Sequence, residues 1–176
     1  YFLIRDFNVE YVALYSDTSL PLAYTIGAIW GGASGSLLLW AWIASLFMTG
    51  IVLREQKDRI TGYALAVLLS VNIFLLTLVI FINNPFHRLA FTPPDGNGLN
   101  PLLIDPGMLI HPPTLFIGYA GLTIPFAFAL AGLLAKNENW IFRIRKWTLF
   151  SWLFLGFGIF LGGWWSYTVL GWGGYW

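Results

Sequence analysis

Long apolar runs broken by short clusters of charge set the pattern of this chain. One run extends from Ser36 to Leu53, a second from Ile60 to Ile82, a third from about Pro113 to Ala135 and a fourth from about Trp147 to Trp165. A charge-free run of about 18 residues or more can cross the hydrocarbon core as a helix. In the first two runs only Asn72 and a few hydroxyls interrupt the apolar series. None of the four alternates residue by residue, as transmembrane strands must. The pattern predicts an all-α fold, a polytopic transmembrane helix bundle of about four spans with ordered outer-face loops.

Composition sharpens this picture. Apolar residues make up 58% of the chain and charged residues 10%, a mix foreign to a water-soluble domain. The chain has no cysteine, which removes disulfides, thiolate metal sites and a thiol nucleophile of its own. No ionisable residue lies inside an apolar run, so these spans carry no proton relay or ion pathway of the kind that intramembrane Asp, Glu or His residues build. Asn72 reads as an interhelical hydrogen bonder, and the spacings Gly27, Gly31, Gly35 and Gly158, Gly162 read as close helix packing.

Cations are placed unevenly. Arg54, Lys57 and Arg59 lie between the first two runs, and Lys136, Arg143, Arg145 and Lys146 between the last two. Such clusters mark loops retained in the cytoplasm or its organellar equivalent. Residues 54–59 and 136–146 are therefore expected inside, and 1–35, 83–112 and 166–176 outside. Tyr1 to Ile4 reads as the stub of an earlier span, and the chain stops within a Gly/Trp run. An internal fragment of a longer protein is expected.

The outward segments hold the candidate chemistry. Trp30, Trp164, Trp165, Trp172 and Trp176 map to the outer side, where an indole anchors a helix at headgroup level. The glycines in Trp172-Gly173-Gly174-Tyr175-Trp176 would also let several rings approach a planar apolar ligand such as a porphyrin. Both histidines, His87 and His111, are on this side. His111 precedes Pro112 and Pro113, which are expected to open the third span and to bias His111 toward extended backbone. A stiffly held imidazole suits an axial ligand to haem iron, although a lone interfacial histidine also has purely structural uses. His87 reads as part of a turn leaving the second span. Arg88 could meet a propionate or simply snorkel to the interface. Turn residues crowd the stretch 91–107, and Asp105 is placed to cap a short interfacial helix beginning at Pro106.

Several motifs recur in order: Trp30-Gly31-Gly32, Gly35-Ser36-Leu37-Leu38-Leu39-Trp40, Asn84-Pro85-Phe86, Leu99-Asn100-Pro101-Leu102-Leu103, Asp105-Pro106-Gly107, His111-Pro112-Pro113, and Gly162 to Trp165 followed by Leu170 to Trp176. In these the chain resembles the CcmF-type haem lyases of cytochrome c biogenesis and their nitrite-reductase-specific relatives. The resemblance implies a multi-pass protein of the bacterial inner membrane, or of another energy-transducing membrane. It also implies that haem b is bound on the outer face and joined to the Cys-x-x-Cys-His thiols of apocytochrome c. His111 matches the first of two outer-face axial ligands. Trp164, Trp165, Trp172, Gly173, Gly174, Tyr175 and Trp176 match the start of the tryptophan-rich WWD platform, with Arg88 a possible propionate contact. The implied partners are a CcmE-type haem chaperone, a CcmH-type thiol partner and the apocytochrome. A second outer histidine and the span histidines of such proteins would lie beyond Trp176. One departure is clear: Ala33-Ser34 stands where the family typically reads His-Glu. A haem transporter or relay without lyase chemistry, and a structural assembly subunit, are the alternative readings.

Overall fold

A computed structural model of the chain describes residues 1–136 and 140–171. Six α-helices follow in order: α1 (Glu10–Tyr15), α2 (Leu22–Gly27), α3 (Ala33–Arg54), α4 (Arg59–Phe81), α5 (Pro106–Ala135) and α6 (Trp140–Thr168). Short 3-10 turns form at Phe2–Ile4, Ala28–Trp30 and Pro101–Leu103. No strand occurs among the described residues, and α3 to α6 are each long and apolar enough to cross a membrane. The polytopic all-α bundle is thus borne out.

The helices outrun the apolar runs that announce them. Arg143, Arg145 and Lys146, expected in a loop, lie in the first turns of α6. Long basic side chains are good helix formers, and a helix need not stop where the hydrocarbon does. Arg143 is also anchored, by hydrogen bonds of 3.0 Å from Nη1 to Asp58 and from Nη2 to Gln56.

The start of α5 requires a larger correction. Asp105 caps it as expected, accepting from the Gly107 N–H at 2.7 Å. The helix is not short, however, and continues unbroken through Pro112 and Pro113 to Ala135. His111 is therefore helical rather than extended. A proline inside a helix leaves the carbonyl four residues earlier without its donor, and for Pro112 that carbonyl belongs to Met108. The Trp30 indole N–H fills the gap, donating to Met108 O at 2.9 Å.

The bundle is antiparallel, with α5 at its centre. It packs most extensively on α6 and also on α4 and α3. A buried cluster of Ile51, Ile60, Ala64, Leu68, Ile124, Ala127, Phe128 and Ala131 joins α3, α4 and α5 toward the short-loop end. Three alanines among these residues let the helices approach closely, with Phe128 the one aromatic ring among the fully buried members. Asn72 bears out its expected role: its Nδ2 donates to Ser45 Oγ on α3 at 2.9 Å.

At the opposite end, residues 1–32 and 83–105 fold together as one cap. Val9 and Arg88 form an isolated antiparallel bridge, flanked by Glu10 N to His87 O at 2.9 Å and Leu89 N to Asn8 O at 2.8 Å. Farther along, Asn97 N donates to Ala13 O at 2.7 Å and Thr18 Oγ1 to Asp95 Oδ2 at 2.7 Å. Beneath these bonds lie Phe2, Phe7, Val9, Tyr11, Val12, Leu20 and Leu99, all buried. Burial pushes the Tyr11 phenol up to about 12, and its oxygen accepts the Gly32 N–H at 2.9 Å. The glycines at 27, 31 and 35 serve packing as expected, though not as one helical stripe. Gly27 sits in α2 against Leu109, while Gly35 in α3 makes room for the Ile29 carbonyl and the Tyr11 hydroxyl.

Candidate functional site at the cap end of the bundle

The α5–α6 seam is built by setting large groups against glycines. An added Cβ at Gly118 would lie 2.6 Å from the Leu155 backbone, one at Gly158 3.0 Å from the Leu115 backbone, and one at Gly107 2.7 Å from the Trp165 indole. These pairs follow an antiparallel register, and the step between Gly107/Trp165 and Leu115/Gly158 is His111 over Gly162. The imidazole occupies the space that a side chain at Gly162 would claim: an added Cβ there would stand 2.9 Å from Nδ1 and 3.0 Å from Nε2.

His111 Nδ1 lies 2.7 Å from the Gly158 carbonyl oxygen. A carbonyl can only accept, so Nδ1 carries a proton, and in the neutral ring that leaves the lone pair on Nε2. Nε2 makes no hydrogen bond among the described residues, and the ring is only half-buried. Trp165 flanks it with ring centroids 6.0 Å apart and planes inclined by 49°. The Trp165 residue is 8% exposed, and its indole N–H is buried without a partner among the described residues. Chemically, this arrangement offers one imidazole nitrogen free of hydrogen bonds among the described residues, beside an aromatic wall. No cluster of three or more His, Cys, Asp or Glu residues able to hold a metal exists among the described residues. A lone imidazole retains a metal only when other ligands come from elsewhere, as in a macrocycle.

The other predicted residues are placed differently. Trp164 is 51% exposed and turns away from the seam, because consecutive residues on a helix point about 100° apart. Arg88 is engaged in the cap, 3.9 Å from Asp6 Oδ2 and over the Tyr1 ring at 5.9 Å. His87 pairs with Glu10, Nδ1 to Oε2 at 2.8 Å, on the exposed face of the cap. Trp172, Gly173, Gly174, Tyr175 and Trp176 lie outside the described residues. Ala33 and Ser34 form the first turn of α3, directly after the segment that carries Trp30.

Sequence reasoning missed the brace from Trp30 and the seats formed by Gly107 and Gly162. The first had a signal: Pro112 announces an orphan carbonyl at Met108, and a nearby indole could have been sought for it. The seats had none beyond small-residue spacing.

Residues 30–176 match the family described as cytochrome C assembly protein. Over 180 aligned residues the chain is 47% identical to the cytochrome c-type biogenesis protein CcmF of Pseudomonas aeruginosa, covering 99% of this chain and 27% of that protein. Identity to the CcmF of Escherichia coli is 43%, with 99% and 28% covered. To the cytochrome c-type biogenesis protein NrfE of Haemophilus influenzae it is 40%, with 99% and 28% covered. The chain thus spans little more than a quarter of the length of these relatives. No solved structure matches it.

Proposed function

The chain belongs to the cytochrome c assembly protein family, and from that premise we propose that it contributes one wall of an outer-face haem site in a protein that matures c-type cytochromes. His111 is the axial ligand, through Nε2, and Trp165 is the first ring of the wall. Residues 172–176 continue that wall as the stacking platform. The observation that carries this reading is the 2.7 Å bond from His111 Nδ1 to Gly158 O. It leaves the opposite nitrogen as a bare donor, the state that metal-bound histidines adopt. The fit is to haem rather than to a metal ion alone, because the described residues gather no cluster of metal ligands around His111.

In the whole protein the reaction is a cytochrome c haem lyase step. A cysteine thiol of the apocytochrome adds across a haem vinyl group. The S–H and carbon–carbon π bonds break, a C–S bond forms, and the proton passes to the other vinyl carbon. This chain supplies placement, holding the two reactants in near-attack geometry. Haem b is its cargo, received from a CcmE-type chaperone, with a CcmH-type partner presenting the reduced thiols. The cap faces outward from the bacterial inner membrane, in keeping with the cations gathered at the short-loop end.

The test is haem spectroscopy on the full-length protein loaded from its chaperone. His111→Ala should abolish the histidine-ligated spectrum, and an unchanged spectrum would overturn the assignment. The alternative reading is a haem relay, since the residues here explain binding better than bond formation. Thioether formation in a reconstituted mixture of all components distinguishes the two.

A further inference from the structure

The hydrogen bond that holds the imidazole of His111 comes from the backbone of α6, and no side chain among the described residues bonds to the ring. Gly158 O accepts from Nδ1 at 2.7 Å. Within a regular helix the same carbonyl also takes the N–H four residues on, that of Gly162. Both partners of the histidine are therefore glycines one turn apart. Gly158 supplies the acceptor and Gly162 supplies the room. The need for a missing side chain is local to the face under the ring. At Gly156 and Gly163, on the same helix, an added Cβ would meet nothing within 4 Å. The ring cannot retreat along α5 either, because that segment is pinned at Met108 by Trp30, is stiffened by Pro112 and Pro113, and has Trp165 on its flank.

We propose that Gly158 and Gly162 are positioning residues for His111: the Gly158 carbonyl holds the proton on Nδ1, and Gly162 seats the ring so that Nε2 alone meets the iron. The inference rests on the haem reading given above and adds which nitrogen binds and what tunes it. An N–H donated to a carbonyl raises the basicity of the opposite nitrogen. A more basic axial nitrogen favours the ferric iron, so this seam sets the bound haem toward a lower midpoint potential.

The experiment uses the full-length protein in lipid nanodiscs, labelled with nitrogen-15 histidine. The His111 resonances are assigned by their loss in His111→Gln. Without haem, the wild type and Gly163→Ala should show the Nδ1–H tautomer, and Gly162→Ala should show the other tautomer or a mixture. On loading with haem, Gly162→Ala should bind it about 10- to 100-fold more weakly, with a midpoint potential shifted to more positive values, while Gly163→Ala matches the wild type. The wild-type tautomer measurement requires no variant to fold. An Nε2–H tautomer in the wild type overturns the positioning role by itself, as does a Gly162→Ala protein with unchanged tautomer and potential. A haem spectrum unchanged by His111→Gln instead overturns the haem reading, and with it the claim that Nε2 faces iron.

Discussion

Arg143 on α6 reaches Asp58, the N-cap residue of α4, although 85 residues separate them in the chain. Both terminal guanidinium nitrogens take part, and Asp58 also accepts the Thr61 N–H at 3.0 Å. Hydrogen bonds from Arg143 above all, and then from Thr61, hold the Asp58 carboxyl well below the usual carboxylate range. The folded state therefore favours the ionised form. The resulting stability is complete above the ordinary carboxylate pKa of about 4 and fades as the pH falls below it. Asp58→Asn keeps the cap but loses the charge pair, and should cost about 1 kcal/mol at neutral pH. Thermal unfolding in detergent at pH 7 and pH 3 checks this, because the gap between variant and wild type should narrow in acid.

Trp30→Phe removes one N–H while keeping a ring in place. Met108 O would then lack both its proline-deleted donor and its substitute, at a cost of about 1–3 kcal/mol. Hydrogen exchange should show faster opening confined to the first turns of α5. Haem retention in the full-length protein should fall with it, since His111 rides on those turns.

Asn72 and Ser45 bridge α4 and α3 within the span region. Interhelical bonds of this kind are worth about 0.6 kcal/mol on average in membranes. A double-mutant cycle with Asn72→Ala and Ser45→Ala should return a coupling of that order. A coupling near zero would mean that Asn72 finds other partners.

Gly118→Ala should be among the costlier single changes, because the Leu155 backbone cannot move aside as a flexible side chain could. An effect of about 1–3 kcal/mol is expected from such overpacking. Gly156→Ala, which faces open space, should be near neutral. Comparing the two by unfolding separates seam packing from helix propensity.

Single cysteines would settle the sidedness of the chain. Introduced at Asn97 in the cap and at Lys57 in the short loop, they should label from opposite faces, Asn97→Cys from outside intact cells.

The number of spans was legible from the charge-free runs, and so were the limits of α4 and the ends of α3 and α5 to within a residue, but the starts of α5 and α6 were not. The start of α5 was hidden because the donor that carries the helix past Pro112 comes from Trp30, 78 residues before Met108. The start of α6 was obscured by a basic cluster in which Arg143 has its partner, Asp58, 85 residues back in the chain. His111 could be singled out as one of two histidines, both on the same side. The nitrogen it offers could not be known, since that depends on a backbone carbonyl with no sequence signature. Turn residues announced an ordered loop at 83–105, yet its pairing with the N-terminal segment rests on backbone bonds and on polar contacts such as Thr18 with Asp95 and His87 with Glu10, about 77 residues apart, whose matching no local pattern reveals.

That pairing imposes a schedule on biosynthesis. Glu10 leaves the ribosome 77 residues before its partner His87, a wait of roughly 4–15 s at common translation rates. Throughout that interval Phe2, Phe7, Val12 and Leu20 have no complete cover, and their shelter arrives only when the hairpin of α3 and α4 has been threaded and its far end returned to the starting side. Closure of the cap is thus a physical record that α3 and α4 have crossed the membrane together.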